Sequence, residues 1–408
     1  MKLRFLSVIC LLFCFLEVFA QTKAIKEANS QLKANKLAAA EKAINAAMTD
    51  STTNVLPNTW NIAGQIQKKY YETENQKAYL HKAYDTLRLY NSVLKMTQYF
   101  LKCDSLSEIP DAKGKVKNKF RKANAQSMLA VRNNLANGGY YYMNKPKDSD
   151  KKKAIDFLTT YIESTYHPMF GNIPEVQNDT LVSAIAYYIS VTALKIQDYN
   201  TVSKYSPFAL DNNIFGQSAK ELLATACIQQ NDTLNYLQVL REGIEEYPSD
   251  RFFFASLVDY YLKDNKLDDA MQVTKEVLDK YPENAYALYV KGYLYQSMQE
   301  YNKAIETYQQ VVSIDNTSAE AYSGLGLVYC ILAQNFADTI SLDVNDSSYS
   351  DNQKILKDYY EKAKNAYEQA RILKPEQKEL WLNGLYRVYY NLRLGEKFDE
   401  IEHLIQHS

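Results

Sequence analysis

Between Arg251 and Ser318, large apolar residues recur at spacings of three and four, the period of a helix with one buried face. Phe254, Leu257, Val258 and Tyr261 form one such stripe, Ala270 and Val277 mark a second, and Pro282 ends it because proline cannot continue a helix. The order returns 34 positions on. Leu288, Gly292 and Tyr295 are followed by Ala304, Tyr308 and Val311, with Ala304 in register with Ala270, and Tyr322, Leu325, Gly326 and Tyr329 open a third copy. A fixed period of this length, made of two amphipathic helices, predicts a stack of helix pairs in which each pair buries its face on the next. A chance bundle would not keep large, small and helix-ending residues in agreeing registers.

Residue size carries the same message. Glycine inside a helix costs about 1 kcal/mol against alanine, so Gly292 and Gly326 are expected where two helices approach closely. Ala270 and Ala304 are small for that reason, and Tyr261, Tyr295 and Tyr308 are expected to fill the space beside them.

This combination of positions resembles the tetratricopeptide repeat (TPR) family. The resemblance covers most of Gln21 to Ser408, strongly after Gln217 and more loosely before it. It implies an all-α, TPR-like right-handed solenoid of antiparallel helix pairs, with the first helix of each pair lining a concave face. It also implies a protein that binds an extended peptide or a partner protein and is not an enzyme. On that face the resemblance places Asp259, Lys263, Tyr286, Tyr289, Tyr293, Gln296 and Glu320, with Tyr386, Arg387 and Tyr390 in the last, less regular repeat. The basic clamp by which some TPR proteins grip a terminal carboxylate is not reproduced, since Phe252, Ala255 and Asp259 stand where Lys or Asn would be needed.

Along the chain, residues 1–20 read as a signal peptide, 21–178 as degenerate helical repeats and 179–408 as regular repeats. Ala-, Lys- and Glu-rich residues up to Met48 form the end of a first pair, and Trp60 with Gly64 opens the next. From Cys103 to Lys117 the sequence turns polar around Pro110 and Gly114 and predicts a linker or lid between helices. The basic run Lys145 to Lys153 contains Asp148 and Asp150 and falls at a turn, so a solvated loop is expected there and not a nucleic-acid patch. An insertion at about 335–358, rich in Asp and Ser, predicts a loop on one face. Its Asp343-x-Asn345 start does not continue as a calcium loop, because Ser348 and Lys354 replace the required Gly and Glu. Phe398 to Ile405 suit a closing helix.

Composition narrows the function classes. The 408 residues carry a formal charge of −1, which implies no net attraction to nucleic acid or an anionic membrane. Lys2 and Arg4, an apolar stretch from Phe5 to Leu16 and the exit Val18-Phe19-Ala20 have the layout of a secretory signal, with cleavage expected after Ala20. That predicts a periplasmic or secreted protein of a Gram-negative bacterium, with no integral membrane segment in the mature chain. Neither Cys10 nor Cys14 has the small-residue context of a lipid anchor. Cys103, Cys227 and Cys330 then remain, too few and too scattered for a disulfide framework, and are expected to be buried thiols.

Chemistry is otherwise sparse. Four scattered histidines make no metal motif, no phosphate-binding glycine loop or nucleophile elbow occurs, and no cofactor or metal is expected. The most unusual count is 35 tyrosines, whose flat rings and hydroxyls suit peptide or sugar recognition, or simply fill a narrow stack. Glycan or nutrient capture in the envelope is therefore the alternative function. Six Asp-Ser/Thr triplets, at Asp50, Asp85, Asp104, Asp179, Asp232 and Asp338, resemble acceptor sites of bacterial O-glycosylation, or serve as helix caps.

Overall fold

The computed structural model describes residues 23–111, 113–171, 173–341, 343 and 345–407. The predicted signal segment lies outside them. Helices account for most of the described residues, and no strand occurs among them. The chain divides into two compact units, up to Val239 and from Leu240, the division falling inside a helix. The first unit contains α1 (residues 23–33), α2 (Leu37–Thr49), α3 (Pro57–Tyr79), α4 (Thr86–Ser107), α5 (Arg121–Leu129), α6 (Asn133–Met143) and α7 (Asp148–Thr165). It continues with α8 (Pro174–Gln177), α9 (Leu181–Lys195), α10 (Tyr199–Tyr205), α11 (Gly216–Gln229) and the start of α12 (Thr233–Glu246). The second contains α13 (Arg251–Lys263), α14 (Leu267–Lys280), α15 (Ala285–Ser297), α16 (Tyr301–Ile314), α17 (Ala319–Ala337), α18 (Tyr349–Leu373), α19 (Leu382–Asn391) and α20 (Gly395–Gln406). Within each unit a helix packs chiefly on its neighbours in sequence. The fold is the expected all-α, TPR-like solenoid of antiparallel helix pairs.

One turn recurs in both units. Asn35, His81, Gln197, Asn231, Asn265, Gln299 and Arg393 all have φ between 53° and 62° and sit just past the first helix of a pair. At each, the next amide donates to the carbonyl five residues back, as in Lys82 to Lys77, Lys266 to Tyr261 and Glu300 to Tyr295, at 2.8–2.9 Å. This left-handed helix cap satisfies carbonyls that the ending helix leaves free and sets the reversal into the second helix. It also shows the stretch before Met48 to be a full helix pair, α1 with α2, using the same turn at Asn35.

Close approach falls where the small residues predict it. A Cβ on Gly292 would lie 2.7 Å from the Tyr308 ring, and one on Gly326 equally close to the Tyr367 ring. Gly64 with Phe100 and Gly138 with Phe157 repeat the device in the first unit. Tyr308 also meets Gly324, and Tyr367 meets Gly384, so each tyrosine is wedged between the first helices of two successive pairs. Tyr308 and Ala304 are fully enclosed, whereas Tyr261 and Tyr295, placed by the sequence in the same stripe, are half-buried. They lie instead beside long cations: Arg241 donates to the Tyr261 hydroxyl, and Lys303 sits over the Tyr295 ring.

Two segments differ from expectation. Helix α4 continues through Cys103 to Ser107, because Cys103 and Phe100 are buried on one stripe, so the linker begins only at Glu108. Of the insertion, the described residues between Ala337 and Tyr349 are loop. From Tyr349 the chain is already helical, and Leu356 and Tyr360 pack in one core with Cys330 and Ala333 of α17, so most of the insertion lengthens a helix hairpin. Cys103, Cys227 and Cys330 are buried free thiols, as expected, and burial pushes those of Cys103 and Cys330 up to about 11. In the first unit a buried ion pair joins Arg132, before α6, to Asp179, before α9; Tyr161 of α7 donates to Asp179 at 2.7 Å and Thr165 accepts from Arg132. Each unit holds one tryptophan, Trp60 donating to the Asn54 carbonyl and Trp381 to the Lys374 carbonyl.

Candidate functional site

The first helices of three consecutive pairs, α13, α15 and α17, begin at side-chain caps. Asp250 accepts from the Phe252 amide, Asn284 from Ala287 and Ser318 from Ala321. Two adjoining cavities open beside these starts, of about 260 and 220 Å3, and both are lined by Arg251, Ala285 and Tyr286. The larger continues over Ile244, Pro248, Phe254, Val277 and Tyr281 and is mainly apolar. The smaller is apolar and polar in about equal measure, bordered by Tyr289, Asp315, Thr317, Ser318, Glu320 and Lys374.

Arg251 forms the partition. Its guanidinium lies 4.9 Å from the centre of the Tyr286 ring and makes no hydrogen bond or ion pair among the described residues. Phe254 meets Tyr286 edge-on at 6.0 Å, and Tyr289 lies nearly parallel to Tyr286 at 6.4 Å. Behind them Tyr289 rests against the buried Tyr308. The charges are mixed: Lys374 at the end of α18 pairs with Glu320 in the first turn of α17, which also suits both helix ends electrostatically. Burial opposes ionisation of Glu320, yet its bond to Lys374 holds its carboxyl below the usual range. Asp315 is held low by the Thr317 hydroxyl and amide, with Arg251 and Lys374 adding to the effect. Burial raises the Tyr286 phenol, helped by the Asp259 charge, and burial with the Glu320 charge raises Tyr289. The arrangement offers a cation with free donors, two aromatic walls and fixed carboxylates: equipment for holding a polar chain.

The structure gathers Tyr286, Tyr289 and Glu320 around these cavities. Tyr293 follows one turn on and is 41% exposed. Asp259 and Lys263 are exposed on α13. Gln296 has its amide oxygen engaged by the Tyr308 hydroxyl at 3.2 Å, so it supports the wedge. Tyr386 and Tyr390 form a separate group against Phe398 of α20, at 4.8 and 5.9 Å, and Arg387 acts electrostatically on Cys330, Tyr360 and Tyr367. Sequence reasoning missed Arg251, Asp315 and Lys374. A signal for Arg251 existed: its place in the 34-residue register is taken by Ala285 and Ala319 in the next two repeats, so packing does not require an arginine there.

That register is supported independently. Residues 292–330 match the TPR repeat model. Among curated proteins none matches the chain. Solved structures it is similar to include a TPR repeats protein from Bacteroides fragilis, 18% identical, covering 67% of this chain and 98% of that one with a TM-score of 0.32. YrrB, described as a TPR protein with an unusual peptide-binding site, is 12% identical over 51% of this chain and 94% of its own, with a TM-score of 0.31. The P58(IPK) TPR domain is 14% identical over 93% and 99%, also at 0.31. With identities and scores this low, the fold rests on the helix pairs described above.

One further cluster resembles catalytic machinery. His167 lies between Ser105, 3.4 Å from its Nε2, and the buried Asp104, 3.8 Å from its Nδ1. The Met169 amide donates to Nδ1, however, so the neutral ring carries its proton on Nε2, where a general base would need a lone pair. The Ser105 hydroxyl donates to the Leu101 carbonyl, and Asp104 is held bidentately by Arg121. This is a staple between α4 and the segment after α7. The other Asp triplets divide similarly: Asp85, Asp179 and Asp232 accept amides at the starts of α4, α9 and α12.

Proposed function

We propose that the protein is a non-catalytic scaffold of the bacterial cell envelope that holds an extended peptide or loop of a partner protein across the starts of α13, α15 and α17. The observation that carries this reading is Arg251, lying over Tyr286 with its donors unused between a mainly apolar cavity and one bordered by Asp315, Glu320 and Lys374. A peptide matches that alternation: one side chain enters the apolar cavity, a main-chain carbonyl meets the guanidinium, and polar groups face Glu320 and Lys374. The TPR repeat match at 292–330 supports it, since TPR pairs serve as binding surfaces. The export part of the reading rests on residues 1–20 alone.

The test is photo-crosslinking from position 293 in the native host, with and without Arg251→Glu. One dominant protein adduct that disappears with Arg251→Glu supports the reading. An adduct indifferent to Arg251, or none from positions 293 and 289, overturns it. A glycan adduct would move the site to the sugar-binding alternative.

A further inference from the structure

Charge and apolar exposure coincide along one edge of the first unit. Helix α4 begins beside the end of α6: Tyr90 lies 5.5 Å from Tyr141, and the Tyr142 hydroxyl donates to Asn91 at 3.2 Å. Lys145 extends the row by donating to the Tyr141 hydroxyl at 3.0 Å. The α3–α4 turn and the α6–α7 turn, distant in sequence, are therefore neighbours. The first supplies what the basic run at 145–153 lacks in sequence, an aromatic and aliphatic surface. Tyr79, Leu80, Tyr84 and Leu87 are 83, 49, 44 and 46% exposed.

Isolated exposed apolar residues are ordinary, but four large ones within nine residues spanning the turn are not. Nor is this a loose loop, for the left-handed cap at His81 ends α3 and Asp85 caps α4. The two stretches, residues 74–88 and 144–153, hold eight lysine and arginine side chains against four carboxylates, in a chain whose formal charge is −1. Of those carboxylates Glu74 is buried against Lys77, Asp85 serves as the cap and Asp148 pairs with Lys151. Lys82, Lys147 and Lys152 are exposed and have no ion pair among the described residues.

We propose that this edge rests on the surface of an anionic lipid bilayer. Leucine side chains reach the acyl boundary, tyrosine rings settle at headgroup depth, and lysines extend their stems to meet phosphates. No helix among the described residues is long and apolar enough to cross a membrane, so the contact is peripheral. A nucleic-acid surface fits less well, because half of the exposed apolar side chains are aliphatic and offer bases nothing to stack on. The expectation of no electrostatic attraction, drawn from net charge, overlooks this local concentration.

The test is flotation of the full chain with vesicles of phosphatidylcholine, alone or mixed with phosphatidylglycerol. The expected result is about tenfold or greater enrichment on the anionic vesicles, reversed by added salt. The variant K82E/K147E/K152E should lose that enrichment, and L80S/L87S should weaken it while keeping its salt dependence. All five side chains are exposed, and an unchanged circular dichroism spectrum checks the fold of each variant. Equal binding to both vesicle types, or wild-type binding by the charge variant, overturns the proposal. So does failure to float combined with charge-dependent binding of single-stranded RNA, which would make the edge a nucleic-acid surface.

Discussion

Gln299 adopts φ 62°, where an L side chain crowds its own backbone, and it does so to end α15. Glycine suits that conformation better, so Gln299→Gly should stabilise the second unit by about 1 kcal/mol, read as a higher urea midpoint. Gly292 presents the reverse case. Gly292→Ala would press a methyl into the Tyr308 ring and should cost about 1–3 kcal/mol, whereas Gly395→Ala meets nothing within 4 Å and should leave the midpoint nearly unchanged. A third residue titrates. Burial lowers the pKa of His167 more than the neighbouring Asp104 raises it, and Arg121 lowers it further. The native ring thus binds a proton less readily than the unfolded one. Its contribution is complete above the ordinary histidine value of 6.5 and is lost as pH falls through the folded value. His167→Asn keeps an acceptor for the Met169 amide and does not titrate. Between about pH 7.5 and 5.5 it should therefore lose less stability than the parent in denaturant titrations.

Among elements, the helix pair was legible because its packing is written in size: Ala270, Ala304, Gly292 and Gly326 recur where close approach demands them. Turns were less visible. The left-handed cap is carried by Asn, His, Gln and Arg, without the glycine that would have flagged it, and only the shared φ reveals one device. The insertion was visible as extra length, but its helical part depended on α17 being present to bury Tyr360. Side chains distant in sequence stayed hidden: nothing in the order of residues pairs Arg132 with Asp179, or aligns Arg251 over Tyr286. The Arg132–Asp179 pair makes its own prediction. Asp179→Ala leaves a buried guanidinium unpaired and should cost about 3–5 kcal/mol, while an Arg132→Met, Asp179→Leu double variant should recover much of that loss. Thermal denaturation of the three proteins checks it.

At the scale of the whole chain, contacts between sequence neighbours make stability local. Tyr308→Ala removes a wedge between α15 and α17 and should cost about 3–5 kcal/mol. Hydrogen exchange should rise in α15, α16 and α17 and stay unchanged in α1 to α7, and faster exchange throughout would disprove local coupling. Function follows the same economy, since the peptide-binding reading uses three adjacent helix starts and the lipid-binding reading uses two adjacent turns. The two tryptophans add a practical corollary. Trp60 and Trp381 fall in different units, each with its indole N–H tied to a main-chain carbonyl. The chain thus carries its own pair of optical gauges, and replacing either indole with phenylalanine turns fluorescence into a readout of one unit's melting at a time.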